Sequence, residues 1–284
     1  VDKLERQNIC VTEMVMRTLL ADCALKLLVS SGEITVDREI FPAYIDGSLT
    51  IGVWSALIDD IIQDKKAALS WANNNKNLMD TNYYYQKGED VLGLLYMSIR
   101  DAGSRKAAGS YYTPTKVVRT LISDVTGDMG SRISEGGKRL FDPCCGTGNF
   151  LIQLPDDIEL NNIYACDIDE LSVQLARFNL ALGRLSGRRH VNVDEAIWTI
   201  YEHIERRDFI SEYRNDSECG GDDKKLLADP GYDIIIGNPP WGYTFDRETR
   251  TLLRKAYRTA AGRGVESSDV FVELSLIHIS EPTR

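Results

Sequence analysis

No run of about 18 apolar residues occurs in this 284-residue chain, so no membrane-spanning helix is expected. The amino end lacks the basic-then-apolar-then-small order of a secretory leader, which makes a cytoplasmic setting the expectation. Cysteine is sparse. Cys10, Cys23, Cys144, Cys145, Cys166 and Cys219 show no Cys-x-x-Cys spacing, and the three histidines lie far from them. That argues against a zinc site, and so few cysteines in so long a chain make a poor disulfide framework. Positive charge is also short: 33 Lys and Arg against 43 Asp and Glu give a net charge of −10. A free-standing nucleic-acid clamp with a broadly basic face is thereby disfavoured, although local basic patches occur at Arg105 and Lys106 and from Arg250 to Arg258.

Hydrophobic residues make up 43% of the chain, enough for one large domain and a smaller one. Apolar residues recur at helical spacing from Asn8 to Ser30, from Val53 to Trp71 and from Gly88 to Arg100. These stretches predict a helical amino-terminal region over residues 1–105, whose plain role is packing and positioning. The pattern then changes. Thr113-Pro114 looks like a helix start, with Thr113 as cap and Pro114 in the first helical position. Short apolar runs at Arg139–Phe141, Ile163–Cys166, Val191–Val193 and Tyr232–Ile236 read as strands, and Leu171–Leu182 as a helix. This alternation predicts an α/β domain with a mainly parallel sheet. Arg214–Lys225 is rich in Asp, Ser and Gly and reads as an exposed loop.

Three motifs carry chemistry. Phe141-Asp142-Pro143-Cys144-Cys145-Gly146-Thr147-Gly148-Asn149-Phe150 follows an apolar strand and opens a helix. Its glycines let the backbone approach a ligand, and a helix amino end offers N–H groups to a carboxylate or phosphate. Dinucleotide enzymes use a similar turn, but the third glycine of their fingerprint is missing here. Asp167, about 20 residues past the turn, is placed to accept hydrogen bonds from ribose hydroxyls. It points to a nucleoside without saying which, and an aspartate capping the next helix would look the same. Asp233-Ile234-Ile235-Ile236-Gly237-Asn238-Pro239-Pro240-Trp241 is a buried-type strand ending in a stiff corner. Two prolines remove two N–H donors and leave carbonyl oxygens available as acceptors. With the Asn238 amide and the Trp241 ring, the corner suits a planar amine.

Together with Gly109-Ser110-Tyr111-Tyr112-Thr113-Pro114, these motifs resemble the adenine-N6 DNA methyltransferases, and their order resembles type I modification subunits and fused type II restriction-modification enzymes. The resemblance runs from Gly88 to Glu273. It implies a Rossmann-like, S-adenosylmethionine-dependent methyltransferase sheet, incomplete here and preceded by the α-helical region, with a catalytic domain over 106–273. It further implies that Tyr112, Thr113 and Pro114 line the methionine end of S-adenosylmethionine. Asp142, Pro143, Gly146, Thr147, Gly148 and Phe150 would surround its amino acid and sugar, Asp167 and Ile168 the ribose side, and Asp194 the adenine ring. Asn238, Pro239, Pro240 and Trp241 would grip the target adenine, flipped out of double-stranded DNA. The family more often has Tyr or Phe where Trp241 stands. A specificity or restriction subunit is the implied protein partner. The alternatives are a methyltransferase acting on a protein glutamine or an rRNA base, and a fragment without turnover. Leu274–Arg284 matches what one reading frame of a sequencing adapter encodes, and is expected to be non-native.

Overall fold

The computed structural model describes residues 10–100, 112–126, 137–188, 192–209, 232–240, 245 and 247–256. Thr12 opens α1 (Glu13–Ser30): its Oγ1 accepts from the Val15 N–H at 3.3 Å, satisfying a donor that the helix itself cannot pair. From Val15 to Leu28 the helix is buried on nearly every side, its charged residues being paired, Asp22 with Lys26 and Arg17 with Gln174, as burial requires. Around it pack α2 (Ile40–Ile45), α3 (Trp54–Ile62), α4 (Lys65–Asn74) and α6 (Val91–Ile99), with the single-turn α5 (Lys76–Met79) against α4. The stretch expected as one helix from Val53 to Trp71 is two. Gln63 turns the chain with φ 60°, and Asp64 Oδ1 starts α4 by accepting from the Ala67 N–H at 2.9 Å.

The second half holds α7 (Thr115–Thr126), β1 (Leu140–Asp142), β2 (Ile163–Asp167), α8 (Glu170–Leu185), α9 (Val193–His203), β3 (Ile204–Arg206), β4 (Ile234–Ile235) and α10 (Arg247–Ala256). The four strands form one sheet in the order β3-β2-β1-β4. Every pairing is parallel, with Leu140 opposite both Ile163 and Ile234, and Ala165 opposite Ile204. An α/β architecture with a parallel sheet behind a helical region is thus as expected. One strand is not. Val193 begins α9, whose cap is Asn192, its Oδ1 accepting from the Glu195 N–H at 3.4 Å. The third strand instead follows that helix at Ile204–Arg206, where only Ile204 is buried.

α8 lies between the amino-terminal helices and the sheet, and 13 of its 16 residues are buried. One continuous hydrophobic core therefore runs from Leu20 and Leu28 of α1, through Phe178 and Leu182 of α8, to Leu140 and Ile163 of the sheet. Buried polar groups stitch the same halves: Arg17 Nη1 donates to Ile61 O at 3.2 Å and to Gln174 Oε1 at 2.8 Å. The expected division at residues 105 and 106, the loop at Arg214–Lys225, Cys219 and the tail at Leu274–Arg284 lie outside the described residues.

Candidate functional site

Parallel pairing brings the carboxyl ends of β1, β2 and β4 to one edge of the sheet, where open α/β sheets bind ligands. Asp142 ends β1 and is fully buried. Its Oδ1 accepts from the Cys144 N–H at 3.1 Å, folding the chain into the glycine turn. Its Oδ2 is buried with no hydrogen-bond partner among the described residues. Burial pushes this carboxyl up to about 8, so the neutral acid is favoured near neutral pH. β4 leads directly onto the same carboxyl, because a Cβ on Gly237 would lie 2.4 Å from Asp142 Oδ1. Only glycine lets the two strand ends meet this closely.

Asp167 ends β2 and faces the turn. Its Oδ2 accepts from the Gly146 N–H at 2.8 Å and its Oδ1 from the Asp169 N–H at 2.9 Å. Each carboxylate oxygen retains a second lone pair for a ligand hydroxyl. Burial raises this carboxyl as well. The next residue, Ile168, is 62% exposed, an apolar side chain displayed at the sheet edge. On the other side of the turn, Gly148 adopts φ 87° and sits where a Cβ would come within 3.1 Å of Ala176 Cα in α8. Pro143, Thr147 and Phe150 are buried behind the turn.

The segment before α7 closes the site. Asn149 Nδ2 donates to Thr113 O at 2.7 Å, and Asn238 Nδ2 donates to Thr113 Oγ1 at 3.0 Å. Tyr112 Oη and Thr115 Oγ1 are hydrogen-bonded at 3.1 Å, and Thr115 Oγ1 donates to Asn149 Oδ1 at 3.5 Å. Thr113 therefore holds the glycine turn with its carbonyl and the Asn-Pro-Pro corner with its hydroxyl. Thr113 was expected to cap α7. The helix instead starts one residue later, with Pro114 O accepting from the Val118 N–H at 3.2 Å, and the Thr113 hydroxyl is used by Asn238. Three motifs separated by up to 125 residues thus meet at one side chain and its backbone.

A family model described as N-6 DNA methylase matches residues 87–280, which takes in all three motifs. The chain belongs to the N-6 DNA methylase family. Its relatives include the type II methyltransferase M.VspI of Vibrio sp. (strain 343), 24% identical over 247 residues covering 87% of this chain and 52% of that protein. Another is the EcoEI type I restriction enzyme methylase subunit of Escherichia coli, 23% identical over 209 residues covering 73% of this chain and 38% of that protein. The chain thus spans about half the length, or less, of these relatives. Among solved structures, the DrdV–DNA complex shares the fold, with a TM-score of 0.57 at 15% identity, covering 95% of this chain and 29% of that one.

Within this family member, Tyr112, Thr113, Asp142, Gly146, Gly148, Asp167, Ile168 and Asn238 gather at the carboxyl edge of the sheet, with Pro239 and Pro240 half-buried after Asn238. Pro114 is exposed at the start of α7. Trp241 lies outside the described residues. Asp194 is exposed in the first turn of α9, a whole helix ahead of β3. The acidic residue that follows the carboxyl end of β3 is Asp208, just after Arg206 and Arg207. Pattern reading also passed over Asn149, Gly237 and Asp90. For Asp90 a signal was present, since a carboxylate directly before an apolar helix is a capping position.

Proposed function

We propose that this chain carries the cofactor-binding and base-gripping half of a site-specific DNA methyltransferase that transfers a methyl group from S-adenosylmethionine to N6 of adenine. The observation that carries this reading is the junction at Thr113, which ties the glycine turn at Asn149 to the Asn-Pro-Pro corner at Asn238. A cofactor pocket and an amine grip that share one residue can set donor and acceptor in line, the main demand of a methyl transfer.

The residues present fit the cofactor. Asp142 Oδ2, without a hydrogen-bond partner among the described residues, would give up its proton beside an ammonium group and accept a hydrogen bond from it, and Asp167 adds a second acid next to a positively charged ligand. Asp167 would hold ribose hydroxyls with its remaining lone pairs, and the exposed Ile168 would cover the adenine face. Asp208 replaces Asp194 as the candidate for the ring edge. When bound, S-adenosylmethionine supplies an electrophilic methyl group on a sulfonium.

The chain's own groups then position the target nitrogen. The Asn238 amide nitrogen is committed to Thr113, which turns Oδ1 to the acceptor side of the amide. With the Pro239 carbonyl it would accept the two hydrogens of an exocyclic amine and aim the nitrogen lone pair at the methyl carbon. A base in a duplex must leave the stack to reach such a corner, and Trp241 is assigned the stacking role. The related methylase subunit supports a specificity or restriction subunit as partner. Among the described residues no helix is long and apolar enough to cross a membrane.

The test is label transfer from tritiated S-adenosylmethionine to DNA, RNA and protein substrates, followed by nucleoside analysis. Label in N6-methyladenine of DNA is expected. Label confined to RNA or protein, or none from a chain that binds the cofactor, would overturn the assignment.

A further inference from the structure

Helix α6 lies ahead of every motif named above, yet it is tied to the candidate cofactor pocket at two points. At its start, Asp90 is fully buried and accepts from three elements. Gly93 N–H donates at 2.7 Å and caps the helix, Asn179 Nδ2 of α8 donates at 2.8 Å, and Thr147 Oγ1 of the glycine turn donates at 2.6 Å. Gly93 makes room for this junction, because a Cβ there would lie 2.0 Å from Asp90 Oδ2 and 2.3 Å from Thr147 Oγ1. About 9 Å further along the helix, Tyr96 Oη donates to the Asp169 carboxylate. That carboxylate also receives Ser172 Oγ at 2.7 Å and faces Arg100 Nη1 at 3.6 Å. The Asp169 N–H in turn donates to Asp167 Oδ1 at 2.9 Å.

We infer that Asp90 and Tyr96 are positioning residues for the cofactor, Asp90 holding the glycine turn and Tyr96 orienting the Asp167 carboxylate through Asp169. One rigid helix then sets the spacing between the amino-acid end and the ribose end of the pocket. Burying a carboxylate where an apolar side chain would pack is a poor way to gain stability, whereas a fully satisfied polar network fixes orientation. The inference rests on the proposed reading of the glycine turn and Asp167 as a nucleoside pocket.

The experiment is calorimetric titration of the full chain, as wild type, Tyr96→Phe and Asp90→Asn, with S-adenosylhomocysteine and with its 2′-deoxyribose analogue. A hydrogen bond to an ionised carboxylate makes the wild type prefer the ribose compound by about tenfold or more. Tyr96→Phe removes one buried-side oxygen and preserves packing, and is expected to cut that preference at least threefold. Asp90→Asn is expected to weaken both compounds together with the preference intact, since it loosens the turn rather than the ribose contact. A merely structural role would lower melting temperature without changing the ribose preference. If Tyr96→Phe keeps the wild-type preference and Asp90→Asn keeps wild-type affinity, the inference fails while the pocket stands. A wild type that binds neither compound, or does not distinguish them, overturns the pocket reading itself.

Discussion

Replacing Gly237 by alanine would put a methyl group 2.4 Å from Asp142 Oδ1, 3.1 Å from its Cγ and 3.5 Å from Cys144 Sγ. The obstacle cannot swing aside into solvent, because Asp142 is 0% exposed and its Oδ1 holds the Cys144 N–H. Forcing a methyl into a filled site costs about 1–3 kcal/mol. Loss of the bond to Cys144 adds about 1 kcal/mol. We therefore expect Gly237→Ala to destabilise the fold by about 2–4 kcal/mol, read as a fall of about 1–2 M in the urea midpoint for a slope near 2 kcal/mol per M. S-Adenosylmethionine affinity should fall with it, since the displaced carboxyl lines the turn. Combining Gly237→Ala with Asp142→Ala removes the collision, so the double variant should recover at least about 1 kcal/mol relative to additivity. A Gly237→Ala protein within about 0.5 kcal/mol of wild type, or strictly additive variants, would refute the account of the β1–β4 corner.

Asp142 also predicts a pH dependence. Its folded carboxyl titrates at about 8 against an ordinary 3.8, so above pH 4 the unfolded chain releases a proton that the folded chain keeps. Stability should then fall as pH rises through this window, by up to about 1.4 kcal/mol per pH unit, and level off above it. Asp90, raised by burial to about 6, shares only the lower part. Asp142→Asn should accordingly flatten the slope between pH 6 and 8, and chemical denaturation across that range showing an unchanged slope would count against it. Asn238→Ala is expected to abolish methyl transfer in single-turnover assays while leaving cofactor affinity within about threefold of wild type, and retained transfer would remove Asn238 from its role. Phe178 is fully buried with its ring centroid 6.2 Å from that of Trp54. Truncation to alanine should cost about 3–5 kcal/mol, measured by denaturant melting, and a loss below about 1 kcal/mol would contradict the shared core.

The chain announces its main parts unevenly. β1, β2 and α8 are legible because short apolar runs or helical spacing survive in the sequence, and burial demands both. β3 is not legible: Ile204-Glu205-Arg206 holds one buried side chain, while Val191-Asn192-Val193 alternates like a strand yet starts a helix through the Asn192 cap. Asp194 follows Val193 in the first turn of that helix, whereas Asp208 follows β3. The break at Gln63 leaves no glycine or proline to mark it. The glycine turn, Asp167 and Asn238 could be read locally, because each motif is contiguous. Their convergence on Thr113 could not, since it is set by strand register and by the chain crossing over the turn before α7.

The placement of α8 also constrains how such a protein can change. Its Phe178 ring meets Trp54 of the amino-terminal helices, its Ala176 backbone supports Gly148 of the turn, and its Asn179 reaches both Asp90 and Thr147. A party wall cannot be rebuilt from one side alone. Exchanging the amino-terminal helices for those of another member would leave Leu175, Phe178 and Leu182 facing unfamiliar volumes, and the misfit would reach the turn through Ala176. Chimeras joined near residue 105 should therefore function only when the outward face of this helix travels with its neighbours.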